Sequence, residues 1–211
     1  MTYHLLSLAL SVLLVLASPA TFAGFDEANA AFEAGDYTRA QAELKPLLEQ
    51  HDPRAQYAMG VLYENGFGVS KDLSQAAAWY LKAAEQGNSD AQYNLGAMNE
   101  HGVGMPVNYL EAARWYLPAA EVGDIDALSN LGVLYQNGQG VRQDKVLAMA
   151  LYNVSVAYAG NGQTRAAQNR QALANQMPLD DVKTALTLTE ELLKPGNLKP
   201  ALTNYLKQTA N

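Results

Sequence analysis

The chain has 211 residues, with 14 Lys+Arg against 21 Asp+Glu, a formal net charge of −7 and no cysteine. Scattered cations on an acidic background exclude a phosphate-tracking nucleic-acid protein, which needs a concentrated basic face. Without cysteine there is no thiolate metal site, thiol nucleophile or disulfide framework, and an alanine-rich, Gly/Pro-punctuated composition points to helix.

Taken in order, residues 1–23 stand apart. Leu5 to Leu16 is almost wholly apolar, no Asp, Glu, Lys or Arg occurs before Asp26, and Ser18-Pro19-Ala20-Thr21-Phe22-Ala23 supplies small residues suited to a peptidase. This is the layout of a signal peptide cleaved after Ala23. The apolar run is shorter than the roughly 20 residues of a membrane span, so no stable membrane anchor is expected after cleavage. The expected location is the periplasm or the extracellular medium.

Residues 24–54 read as a short capping hairpin. Ala28, Ala31 and Phe32 share one helical face, Gly35-Asp36-Tyr37 makes the turn, and Asp36 caps a helix carrying Ala40, Leu44, Leu47 and Leu48.

A sequence then repeats with a 36-residue period. Ala55-Gln56-Tyr57-Ala58-Met59-Gly60 returns as Ala91-Gln92-Tyr93-Asn94-Leu95-Gly96 and as Ala127-Leu128-Ser129-Asn130-Leu131-Gly132. Ala76-Ala77-Ala78-Trp79-Tyr80 returns as Ala112-Ala113-Arg114-Trp115-Tyr116, and in weaker form as Ala148-Met149-Ala150-Leu151-Tyr152. A fixed period of this length is the mark of a stacked repeat array, here residues 55–90, 91–126 and 127–162. Within each unit, the first helix is expected to be capped by Asp52, Asp90 or Asp126 and to end at a glycine pair (Gly66/Gly68, Gly102/Gly104, Gly138/Gly140). The second helix is expected to start at Asp72, Asn108 or Asp144, with Gln75 and Glu111 completing capping boxes.

Gly60, Gly96 and Gly132 fall inside the first helices, where each costs about 1 kcal/mol relative to Ala. Accepting that cost three times at one register implies a steric need: the second helix, with its aromatic pair, must come close. Residues 163–194 read as a helical cap with a polar outer face, and 195–211 as an amphipathic tail, docked or frayed.

The pattern Ala-x-x-x-(Leu/Met)-Gly-x-x-Tyr-x-x-Gly-x-Gly-Val, followed by Asp and Ala-Ala-x-Trp-Tyr-x-x-Ala-Ala-x-x-Gly, resembles the Sel-one-like repeat, a relative of the tetratricopeptide repeat. Asn99 stands where Tyr63 and Tyr135 follow the pattern, Met105 replaces Val, and unit three has Leu151 for Trp and Ala159 for Gly. The resemblance implies an all-α fold, an α/α solenoid of stacked hairpins, serving as a non-enzymatic scaffold or adaptor of the bacterial cell envelope for a protein or peptide partner. It also carries two alternatives: an enzyme acting on cell-wall or β-lactam compounds, and a host-binding secreted factor. The enzymatic relatives hold a disulfide in each repeat, which this chain lacks.

Chemistry-bearing motifs are sparse. His51 and His101 are lone loop histidines without the several convergent ligands a metal site needs, the Gly-x-Gly pairs follow helices instead of strands, and no nucleophile elbow, phosphate loop or HExxH occurs. No catalytic residue, metal or cofactor is expected. In tetratricopeptide-like stacks the first helices line a concave face. That register, carried onto this chain, gives Tyr57, Val61, Glu64 and Asn65, then Tyr93, Ala97, Glu100 and His101, then Ser129, Val133, Gln136 and Asn137. These vary from unit to unit where the core positions do not, as expected of a surface specialised for a peptide.

Overall fold

A computed structural model describes residues 19–160 and 164–209, with side chains from residue 24 onward. Among the described residues are eleven helices and no strand: α1 (Pro19–Glu33), α2 (Tyr37–Glu49), α3 (Pro53–Asn65), α4 (Leu73–Glu85), α5 (Ser89–His101), α6 (Tyr109–Glu121), α7 (Ile125–Asn137), α8 (Lys145–Ala159), α9 (Arg165–Ala174), α10 (Leu179–Leu193) and α11 (Leu198–Thr209). Successive antiparallel pairs stack in chain order, α4 on α5 and α6 on α7, and make the expected all-α solenoid. Most of the expected signal peptide, residues 1–18, lies outside the described residues, and α1 runs through the expected cleavage point after Ala23. No helix among the described residues is long and apolar enough to cross a membrane.

The first helices are capped one period apart, by Asp52, Asn88 and Asp124, whose side chains accept from the backbone N–H of Arg54, Ala91 and Ala127. This corrects the expectation for Asp90 and Asp126. Both lie inside the first turn, where a carboxylate still meets the positive end of the helix dipole. A cap needs non-helical backbone, and only Asn88 and Asp124, each following a left-handed glycine, have it. The second helices start as expected at Asp72, Asn108 and Asp144. Gln75 and Glu111 give backbone N–H groups to those caps, while the Glu111 carboxylate is held by Arg114.

The paired glycines divide the work. Gly66, Gly102 and Gly138 are left-handed C-caps that end the first helices. The second glycine of each pair touches the preceding hairpin: a Cβ on Gly104 would stand 2.7 Å from the Leu73 carbonyl oxygen at the start of α4. Gly68 meets Tyr37 in the same way, and Phe67 beside it stacks on the Tyr37 ring at 4.6 Å, joining unit one to the capping hairpin.

The interior glycines do what the repeat implied. A Cβ on Gly96 would lie 2.5 Å from two ring carbons of Tyr116, and Gly60 and Gly132 face Tyr80 and Tyr152 likewise. Those three tyrosines are fully buried. Their tryptophan neighbours Trp79 and Trp115 are half-buried at the unit edges, with Lys82 lying over the Trp79 ring at 3.9 Å. Ala83, Ala84, Ala119 and Ala120 are buried between hairpins.

Past unit three the period breaks. Ala159 replaces the turn glycine, α8 runs 15 residues against 13 in α4 and α6, and Gly160 caps it. The cap helix α10 packs on α8, burying Ala185, Thr189 and Leu192 while Leu186 and Leu193 face solvent. The tail is docked. Leu198 and Leu202 of α11 join the core cluster of α6, α7 and α8, Lys199 pairs with Glu121 at 2.9 Å, and the Tyr205 hydroxyl donates to Asp144 at 3.0 Å.

Candidate functional site

The buried tyrosines of the second helices organise the face built by α3, α5 and α7. The Tyr80 hydroxyl donates to Glu64 at 2.5 Å, Tyr116 to Glu100 at 2.7 Å and Tyr152 to Gln136 at 2.8 Å. Each bond ties the last turn of a first helix to the middle of its partner. Burial, reinforced by the Glu64 and Glu100 carboxylates, pushes the Tyr80 and Tyr116 hydroxyls far above the ordinary tyrosine range. Glu64 and Glu100 are thus acceptors in the frame of the fold. Unit three keeps the geometry with a neutral acceptor, so the bond needs a lone pair and not a charge.

A second row lies over the first. The Tyr57 ring sits 5.6 Å from Tyr80, and Tyr93 sits 5.9 Å from Tyr116. Asn94 reaches both Tyr57 and Tyr80 from the next unit, and the Asn130 amide donates to Tyr116 at 3.2 Å. Burial first, then the charge of Asp90, raises the Tyr57 hydroxyl; burial, then Asp126 and Asp124, raises Tyr93. These asparagines and aspartates lie outside the register Tyr57 to Asn137 expected from the repeat. Their signal was present, since Asn94/Asn130 and Asp90/Asp126 recur one period apart.

The remaining expected positions divide. Val61 and Tyr57 line an apolar pocket with Phe25, Phe32 and Leu44. Tyr93, His101 and Ser129 line a polar cleft with Asp126, Asn130 and Arg165, Ser129 itself being buried. Ala97 and Val133 are half-buried against core clusters. Asn65 donates to the Val61 carbonyl at 2.9 Å and Asn137 to Gln139 at 3.2 Å. Among the described residues, no group of three or more His, Cys, Asp or Glu side chains is placed to hold a metal ion.

A stack of helical hairpins joined through small residues, with a polar row along its first helices, defines an α-solenoid of the tetratricopeptide kind. The family model of the Sel1 repeat matches residues 53–88, 89–124 and 125–155. The crystal structure of a Sel1 repeat protein from Oxalobacter formigenes is 31% identical with a TM-score of 0.67, over 79% of this chain and 70% of that one. This chain belongs to the Sel1 repeat family. The fold also matches c5321, described as a protective antigen present in uropathogenic Escherichia coli strains and displaying an SLR fold, at 23% identity and a TM-score of 0.51, over 90% of this chain and 48% of that one. No curated protein matches the chain. Sel1 repeat solenoids are in general scaffolds for protein–protein contact and typically non-catalytic.

Proposed function

We propose that the protein is an exported scaffold of the bacterial cell envelope that holds a peptide segment of a partner protein on the concave face of α3, α5 and α7. The observation that carries this reading is the contrast within each unit. Tyr80, Tyr116 and Tyr152 and the glycines they cover are kept in register, whereas the row above keeps tyrosine at 57 and 93 but turns to Ser129 in unit three, and Asn65 becomes His101 in unit two. Half-buried tyrosines flanked by carboxylates and amides suit a peptide, offering an apolar ring surface beside acceptors and donors for its backbone. The family's scaffold role and its bacterial relatives support the class, and the leader-like residues 1–23 support export.

The test is a crosslinking pull-down from bacterial envelope extract with wild type and the Tyr57→Ala/Tyr93→Ala variant, both checked for native helicity. A partner captured by wild type and lost by the variant is the expected result. Equal capture by both removes this face from the account. N-terminal sequencing of protein from the periplasmic fraction should begin at Gly24; an intact Met1 contradicts export by cleavage.

A further inference from the structure

We propose that the apolar pocket between α1 and α3 is an anchor site for one bulky apolar side chain of a partner peptide whose neighbouring residues are cationic. This rests on reading the first-helix face as the partner-binding surface, and it assigns that partner a chemistry.

The pocket encloses about 270 Å³ and is walled by Phe25, Phe32, Leu44, Tyr57, Ala58 and Val61. It exists because two ladder positions are truncated at this end of the stack. One period upstream of Tyr80, in the α2 position matching its place in α4, stands Leu44; one period upstream of Asn94 and Asn130 stands Ala58. In the later units the phenol and the amide fill this space and hydrogen-bond to one another. Here neither is present, and apart from Asn29 the residues around the space present mainly apolar surface. A cavity of that size is below the range of roughly 300–1,000 Å³ typical of whole small-molecule sites, and it fits a single leucine, phenylalanine or tryptophan side chain.

The charges around the pocket select the rest of the ligand. After burial, the charges of Asp90 and Glu64 raise the hydroxyl of Tyr57, which lines the pocket, and those of Asp126, Asp124 and Glu100 raise that of Tyr93 one unit further along. The cation beside the pocket, Arg54, lies over the Phe25 ring at 4.8 Å and is ion-paired with Asp52 at 2.6 Å. A chain leaving the pocket along the face therefore meets carboxylates at two successive levels, the second of them beside Arg165. Lys or Arg should accordingly flank the anchor.

The test uses purified protein and a phage-displayed random dodecapeptide library, followed by fluorescence anisotropy with the strongest peptide. The expected consensus is a Leu, Phe or Trp flanked by basic residues, bound more weakly as salt rises. Ala58→Trp fills the pocket, and Ala58→Asn inserts the repeat's own amide with less risk to folding. Each should weaken binding about tenfold or more, the scale of losing an apolar anchor. Asp90→Asn/Asp126→Asn should weaken it and flatten the salt dependence. A consensus without an apolar anchor, one with acidic neighbours, or binding unchanged by both Ala58 variants overturns this inference. If Tyr57→Ala/Tyr93→Ala still abolishes binding in that last case, the face stands without the pocket. Peptides indifferent to both sets of variants, or no enrichment at all, remove the face and the anchor together.

Discussion

At the scale of single residues, stability turns on contacts that a methyl group would destroy. The Tyr116 ring is fully buried and its hydroxyl is held by Glu100 and Asn130, so it cannot swing away from a side chain added at position 96. Gly96→Val should therefore cost about 1–3 kcal/mol by overpacking, lowering the melting temperature by about 2–4 °C per kcal/mol. An unchanged melting temperature contradicts the close approach. The reverse holds at His51, the single described non-glycine residue with positive φ, at 59°, one period before Gly87 and two before Gly123. A side chain in that conformation costs about 1–2 kcal/mol, partly offset by the chain entropy that glycine restores on unfolding. His51→Gly should raise the midpoint of urea unfolding; a lower midpoint would show that the imidazole makes a contact worth more than the strain.

The first-helix caps give a pH test with two signs. Burial would raise Asp52, but hydrogen bonds from Arg54 and its charge outweigh that and hold the carboxyl below its ordinary 3.8. Its contribution is present above 3.8 and is lost as pH falls through the lower folded value. Burial first, then Asp126, raises Asp124 above 3.8 despite its bond from Ala127. That group opposes folding once pH has risen past its raised folded value, and the penalty disappears on acidification below 3.8. Asp52→Asn should destabilise at pH 7 and destabilise less at pH 3. Asp124→Asn should cost nothing at pH 7, because the amide of Asn88 serves as the equivalent cap. Urea midpoints of the two variants at both pH values distinguish these outcomes, and equal losses at pH 7 contradict them.

At the scale of elements, the units differ where the repeat lapses. Tyr63 and Tyr135 pack half-buried against neighbouring core clusters. Their counterpart Asn99 is buried, turns its amide back to the Leu95 carbonyl at 2.8 Å, and borders an apolar hollow with Ala78, Leu81, Met105 and Trp115. Asn99→Tyr should fill that hollow and gain about 0.5–2 kcal/mol, as cavity-filling and consensus changes do; a loss in thermal unfolding would mean the hollow is too shallow for the ring.

The hairpins and their order were legible because the 36-residue period exposes the same glycine, tyrosine and alanine pattern three times. Cap positions were legible where the extended residue was the polar one, as at Asp72 and Asp144. They were misread at Asp90 and Asp126, because two polar residues flank each helix start and only backbone conformation separates Asn88 from Asp90. The second role of Gly68, Gly104 and Gly140 was hidden for another reason: contact with a preceding hairpin is long-range and leaves no local mark beyond the glycine itself. The docking of α11 was equally hidden, since its bonds to Glu121 and Asp144 span 82 and 61 residues.

At the scale of the whole molecule, each hairpin contacts its neighbours, so stability grows along the array by additive joints. The two ends are finished differently. At the N-terminal end the capping hairpin stacks Tyr37 on Phe67 and leaves the apolar pocket beside Tyr57. At the C-terminal end α10 packs on α8, and α11 folds back on the later units through Leu198 and Leu202. Between those ends, α3, α5 and α7 carry the residues that differ from unit to unit, above tyrosines and glycines that recur in register. The register Tyr57 to Asn137 followed from the repeat, but the partners of those side chains did not, because the asparagine ladder and the facing aspartates come from the adjacent unit.

The central claim is that the first helices hold a peptide, and hydrogen exchange tests it most directly. Amide exchange is measured by mass spectrometry on the protein alone and on the protein saturated with a peptide selected from the random library. The account predicts slowed exchange in peptides covering α1, α3 and α5, with α4, α6 and α10 unchanged. Protection confined to α4, α6 or α10 would place the partner on the opposite side of the solenoid and contradict the account.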